Sequence, residues 1–162
     1  MGRGVEAVRV RELMTTDPFT VDPDAPLGTA IALMRMKEIR HLPVVDEARR
    51  LVGIITDRDL RQAAFGPALA EHLSFGAQRR LRGLARDLEE LRVRDAMTWV
   101  VATVHPDAAI AHAALVMFER RVGSLPVVED GKLVGILTER DLLKALLKES
   151  PAICLGPEDF LW

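Results

Sequence analysis

The sequence predicts an α+β fold of two β-α-β-β-α units joined by a helical connector, and three observations carry that expectation. The stretches Val10 to Ala63 and Val93 to Ala145 align with one single-residue gap and about two dozen identities, an internal repeat. Each copy passes from helical spacing to short Val/Ile-rich runs at the same place. The residues between the copies carry leucines at steps of mostly three and four. A unit this short rarely buries a full core alone, so two copies are expected to cover each other's open faces.

Each copy opens with a polar lead, VRELMT in the first and VRDAMT in the second, followed by an extended piece at Thr20-Val21 and Thr103-Val104. Asp24 and Asp107 read as helix N-caps, with Pro26 tolerated in the first turn. Leu27, Ala30, Ile31 and Met34 then fall on one helical face, as do Ile110, Ala113, Ala114 and Met117. HLPVV (41–45) with LVGII (51–55), and SLPVV (124–128) with LVGIL (133–137), read as strand pairs. Asp130-Gly131 signals a tight hairpin. Pro43 and Pro126 lack an N–H and are expected at strand starts or free edges. A closing helix is expected from Asp57 to about Ala64, and from Glu139 to about Lys148.

The boundaries that follow are 8–64 for the first unit, 65–92 for the connector, 93–148 for the second unit and 149–162 for an irregular tail. Leu69, Leu73, Leu81, Leu84, Leu88 and Leu91 make the connector amphipathic, although Gly76 and Gly83 weaken it. It either packs on the lobes or contributes a dimer contact. Arg79, Arg80, Arg82 and Arg86 read as a solvated face. The tail ends in apolar Phe160, Leu161 and Trp162, which suit docking on the body or on a partner chain.

Composition excludes several functions. A net charge of −2 provides no field toward nucleic acid or an anionic membrane. The scarcity of aromatic residues removes the stacking platform that single-stranded nucleic acid needs. No apolar run reaches a membrane span, and the first ten residues lack a signal-peptide core. The lone Cys154 suits a reducing compartment, so a cytoplasmic protein is expected. His72, His105 and His112 show no metal-ligand spacing with Cys154, and no catalytic triad or Gly-rich phosphate loop is present. Neither a catalytic residue nor a metal ligand is expected.

The chemistry-bearing signal is Thr56-Asp-Arg58-Asp59 and its echo Thr138-Glu-Arg140-Asp141, each running from an apolar strand into a helix. A helix start attracts anions, Arg neutralises phosphate, and Asp accepts hydrogen bonds from vicinal hydroxyls. Thr-x-x-Asp is equally a capping box, and the two roles can coexist.

The pattern LPVVD…LVGIITDRDL, present twice with a connector, resembles a tandem pair of cystathionine β-synthase (CBS) motifs, the Bateman module, over about residues 8 to 148. The resemblance implies two pseudo-symmetric motifs packed through their sheets. It implies two clefts for adenosine-containing ligands such as AMP, ADP or ATP, a homodimer formed through helices, and regulation of another protein without catalysis. Carried onto this sequence, one cleft joins Thr138, Arg140 and Asp141 to Thr15, Phe19, Ile39, Arg40 and His41. The other joins Thr56, Arg58 and Asp59 to Thr98, Ala102, Val122, Gly123 and Ser124. The first cleft has Arg40-His41 beside its LPVV strand where the second has Gly123-Ser124, with Arg120 and Arg121 just upstream, so the clefts are expected to be unequal and the first better furnished for a polyphosphate or an acidic ligand. The competing expectation is a structural interaction module with empty clefts.

Overall fold

The computed structural model describes residues 8–70 and 90–149. Most of the leucine-rich connector, with its arginines and His72, and the tail with Cys154 lie outside the described residues. The chain runs α1 (Val10–Leu13), β1 (Thr15–Thr16), α2 (Leu27–Lys37), β2 (His41–Val45), β3 (Leu51–Thr56), α3 (Asp57–Ala70), then α4 (Val93–Ala96), α5 (Ile110–Arg120), β4 (Ser124–Glu129), β5 (Lys132–Thr138) and α6 (Glu139–Glu149).

The helical faces are as the periodicity predicts. Leu27, Ala30 and Met34 of α2 are buried, as are Ile110, Ala113 and Met117 of α5. Both helices end on a left-handed residue, Glu38 at φ 53° and Arg121 at φ 54°. Helix α3 continues to Ala70, beyond the expected end near Ala64.

The hairpins are antiparallel, with Leu42 opposite Ile55 and Leu125 opposite Leu137. Asp130 and Gly131 both have positive φ, 50° and 75°, which is the primed turn that matches strand twist. The carbonyls of Pro43 and Pro126 accept bonds from Val21 and Val104, so each proline faces the outer edge of its hairpin. A missing N–H is harmless there. The extended pieces at 20–21 and 103–104 amount to single parallel bridges, Val21 with Val44 and Val104 with Val127.

The polar leads, which follow the sequence order of their own copies, reach across to the opposite copy. Each forms a helical turn and crosses to the other copy, the first ending in the short strand β1 and the second in a single bridge, and these are called arms below. The N–H groups of Val10 and Arg11 donate to the carbonyls of Ala108 and Pro106, and those of Val93 and Arg94 to Ala25 and Pro23. Strand β1 pairs with β5, placing Thr15 opposite Ile136 and Thr16 opposite Gly135. Reciprocally, Thr98 and Ile54 exchange bonds of 3.0 and 2.9 Å. The first sheet is therefore two-stranded plus this bridge, and the second is three-stranded in the order β1-β5-β4.

Asp24 and Asp107, in turn, do not cap the helices. Pro26 and Ala109 occupy the N-cap positions without side-chain bonds. The crossing arms satisfy the first helical amides: Leu27 donates to the Leu91 carbonyl at 2.8 Å and Ile110 to the Val8 carbonyl at 2.9 Å. Asp24 and Asp107 are thereby left to pair with Arg94 and Arg11, at 2.5 and 2.6 Å, at the surface.

The two cores record the exchange. Val93 and Met97 complete the first, with Leu27, Met34, Leu42, Val44 and Ile55. Val10 completes the second, with Val104, Ile110, Met117, Leu125, Val127 and Leu137. A fully buried Val or Met side chain contributes about 1.5–3 kcal/mol, so the arms are an integral part of each core.

Candidate functional site

At the first strand-to-helix junction the capping box is closed, with the Asp59 N–H donating to the Thr56 hydroxyl at 3.3 Å, and at the second the Thr-to-Asp side of it is formed. The Asp59 Oδ2 accepts from the Thr56 N–H at 2.9 Å and from the Thr56 hydroxyl at 2.7 Å. Thr138 and Asp141 repeat the geometry at 2.9 and 2.7 Å. The box takes the single oxygen Oδ2 of each carboxylate. Among the described residues, the other oxygen of Asp141 has the Lys144 ammonium as its charged neighbour, at 3.9 Å, and the side chain is 13% exposed. Each Asp thus keeps one oxygen able to accept a hydroxyl. Each Thr hydroxyl proton is already donated to its Asp, so toward a ligand Thr56 and Thr138 act as acceptors. A phosphate-donor role for these threonines does not follow from this geometry. Removal of either Asp also removes a cap, so alanine there acts on the fold as well as on the site.

The two copies meet beside these junctions. The Asp57 N–H donates to the Arg40 carbonyl and the Glu139 N–H to the Gly123 carbonyl, both at 3.0 Å, tying each strand start to its helix start. A Cβ on Gly123 would lie 3.5 Å from His41 Nε2 and 3.6 Å from Glu139 Oε2. His41 of one copy therefore faces Gly123 and Glu139 of the other. Burial lowers the His41 pKa, with Arg40 adding to the effect, against the opposing pull of Asp57, Glu139 and Asp59.

An open cavity of about 640 Å³ adjoins this meeting point. Arg140 of the second copy lines it together with Ile39 and Arg40 of the first. These are three of the residues assigned to one cleft from sequence. Thr15 is not on its lining; it pairs with Ile136 of β5, two residues before Thr138. Phe19 does not join the lining either. Its ring is half-exposed, with the Lys37 ammonium 4.8 Å from the ring centre.

The second grouping is more dispersed. Thr98 is bridged to Ile54 of β3, the strand that leads into Thr56. Ala102 and Val122 pack against the second core. Ser124 is buried and stands opposite Thr138 of its own hairpin, as His41 stands opposite Thr56. Arg58 is exposed. A smaller cavity of about 210 Å³ lies between β3 and the 99–103 segment, with Trp99, Val101 and Thr103 on its wall.

Sequence reasoning missed Arg35, Glu38, Asp57 and Arg61 around the larger cavity. They lie at the end of α2 and the start of α3, where charges ordinarily read as solvated. It also missed the convergence of His105, Asp107 and Glu129, whose ligand atoms lie within 4.8 Å of one another. Arg11, from the crossing arm, reaches both carboxylates at 2.6 and 3.6 Å and supplies a positive charge to the group. Among the described residues no helix is long and apolar enough to cross a membrane.

Comparisons with known proteins agree with this architecture. The family model for the CBS domain matches residues 10–66 and 93–148. A CBS domain-containing protein of Dictyostelium discoideum is 37% identical over 145 residues, covering 87% of this chain and 92% of that protein. Inosine-5′-monophosphate dehydrogenase of Methanocaldococcus jannaschii is 35% identical over 142 residues, covering 86% of this chain and 24% of the enzyme. Among solved structures, CBSX2 in complex with AMP superposes with a TM-score of 0.70 at 29% identity, covering 89% of this chain and 99% of that one. The CBS domain pair of protein MJ0100, in complex with 5′-methylthioadenosine and S-adenosyl-L-methionine, gives 0.69 at 27% identity, covering 88% and 98%.

Proposed function

Because this chain belongs to the CBS domain family, as a pair of CBS motifs, we propose that it is a regulatory module that senses an adenosine-containing ligand between its two copies. The observation that carries the reading is the cavity where Arg140 meets Ile39 and Arg40 across the copy boundary. Next to Arg140 in the chain, Asp141 would offer its second oxygen to ribose hydroxyls. Thr15, Ile39, Arg40 and His41 would form the facing wall, and Phe19, exposed beside Lys37, stays outside it. Asp59, Thr56 and Arg58 serve the second cleft in the same way, facing Thr98, Ala102, Val122, Gly123 and Ser124. The ligands of the similar structures, AMP, 5′-methylthioadenosine and S-adenosyl-L-methionine, share the adenosine part that such a site would hold. A ligand touching both copies biases their relative arrangement by its difference in affinity for the alternatives. The output would pass to a homodimer partner or to a regulated protein, with no chemistry at the site itself.

The test is thermal denaturation with AMP, ADP, ATP and S-adenosylmethionine, repeated on Asp59→Asn and Asp141→Asn. Asparagine retains an oxygen for the cap and turns an NH₂ toward the ligand. A ligand at one hundred times its Kd stabilises by about 2.7 kcal/mol, well within detection. Each variant should lose that stabilisation at its own cleft. The competing reading is an interaction scaffold with empty clefts, favoured by the Thr-to-Asp cap bonds at both junctions. It predicts no melting shift with any of these ligands.

A further inference from the structure

We propose that residues 150–162 fold back over the second copy and seat their aromatic end in a groove between α5 and α6, an intramolecular latch on the apolar outer face of that helix pair. The groove, of about 110 Å³, is walled by Val8 at the start of the first arm, Ala111 and Ala114 of α5, and Leu142, Ala145 and Leu146 of α6. Every side chain on its lining is apolar. A dry apolar cavity of about 150 Å³ admits benzene, so this groove suits the inserted edge of one large side chain. Around it, Leu143, Leu146 and Leu147 of α6 are more than half exposed, as are Leu115 and Phe118 of α5. Large apolar side chains gathered on one helix pair mark a docking surface, whereas scattered ones do not.

The repeat, the composition and the reach of the chain identify the occupant. Only the second copy carries this face. In the alignment of the copies, Ala32, Arg35, Arg61 and Ala64 stand where Leu115, Phe118, Leu143 and Leu146 stand, so the counterpart is small and charged. The apolar segment follows directly on the helix that bears the apolar face. It holds Ile153, Leu155, Phe160, Leu161 and Trp162, and its charged side chains are Glu158 and Asp159. Those acids suit Lys144, which is exposed on α6 between Leu142 and Leu146. Pro151 lacks the N–H that a continuing helix needs, so the chain is free to turn back. Helix α6 has 11 residues and is about 16 Å long. The 13 residues of the segment span up to about 43 Å when extended, ample to return along α6. A tethered segment acts at roughly millimolar effective concentration, so it holds the groove against a free second copy at lower concentration. The latch therefore governs access to the helix face of the second copy, and it is independent of the adenosyl reading.

Tryptophan fluorescence of the whole chain tests this. Trp99 and Trp162 are the two tryptophans, so Trp99→Phe reports on Trp162 alone. Its emission should lie at shorter wavelength than that of tryptophan free in water, and acrylamide should quench it severalfold less effectively. Both properties should persist on dilution from micromolar to nanomolar protein. Adding Leu146→Glu, at an exposed position of α6, should move the emission to longer wavelength and restore quenching, with helix content by circular dichroism unchanged. Ala111→Glu, exposed on the opposite wall, should do the same and serves if the first variant misfolds. Emission and quenching like those of free tryptophan would overturn the latch. Protection of Trp162 that survives both groove substitutions would overturn the groove as its seat. Protection lost on dilution would assign the groove to a second copy and overturn the intramolecular latch.

Discussion

Gly53 is the most sensitive test of the crossed arms. A Cβ there would lie 2.7 Å from Met97 Sδ and 2.9 Å from the Thr98 carbonyl oxygen. The methionine is buried, and the oxygen is held by the Ile54 amide at 3.0 Å, so neither can retreat freely. Gly53→Ala must push the arm off β3. Overpacking costs about 1–3 kcal/mol, and a strained backbone hydrogen bond adds about 1 kcal/mol. The expected loss is roughly 2–4 kcal/mol, or on the order of 5–15 °C in Tm for a chain of this size. Urea denaturation followed by circular dichroism measures it. Gly28→Ala is the control, because a Cβ there meets nothing within 4 Å and the position lies in α2. It should stabilise the chain by up to about 1 kcal/mol. Adding Met97→Ala to Gly53→Ala should not restore stability, since the carbonyl remains. An unchanged midpoint for Gly53→Ala would refute the packing of the second arm on the first sheet. Gly135→Ala, facing Met14 Sδ at 2.6 Å and the Thr15 carbonyl at 3.0 Å, should behave alike.

Three further outcomes are expected. The His41 pKa is lowered from 6.5, so the folded chain favours the neutral ring and the unfolded chain takes up the proton first. Stability should therefore be full above that value, decline as pH falls through it toward the lower folded pKa, and level off below. His41→Gln should flatten this part of the urea midpoint against pH, and an identical slope in the variant would assign the effect to other groups. Asp59→Ala should lower stability by about 1 kcal/mol through the lost cap, with Asp59→Asn retaining most of it by the same denaturation measurement. Leu125→Ala, at a side chain with no exposure, should cost about 2–5 kcal/mol in denaturant titration.

Periodicity exposed the parts of the fold that local physics decides. Leu27, Ala30 and Met34 must share a face in any helix, and Asp130-Gly131 suits few turns other than a primed one. What the sequence could not convey was the partner. Val10 and Val93 look like polar-lead residues because their buried face is used on the opposite copy. For the same reason Asp24 looked like a cap, although an amide that needs one is served by a backbone carbonyl far along the chain. At the site, Thr56 and Asp59 were legible as a pair, and so was the ambiguity between cap and ligand. Arg35 and Arg61 were not, because a cavity edge and a solvated helix end carry the same residue types.

The exchange of arms also constrains how the molecule comes into being. Leaving the ribosome, the first half carries Val10, which belongs to a core not yet synthesised, and must wait for Val93 and Met97 before its own core can close. Sequentially distant contacts such as Arg9 to Asp107, 98 positions apart, come late and carry a large loop-closure cost. The halves should therefore mature together in a single cooperative step. Two fragments divided between the copies should each remain incomplete alone and assemble when mixed, since each holds the piece the other lacks.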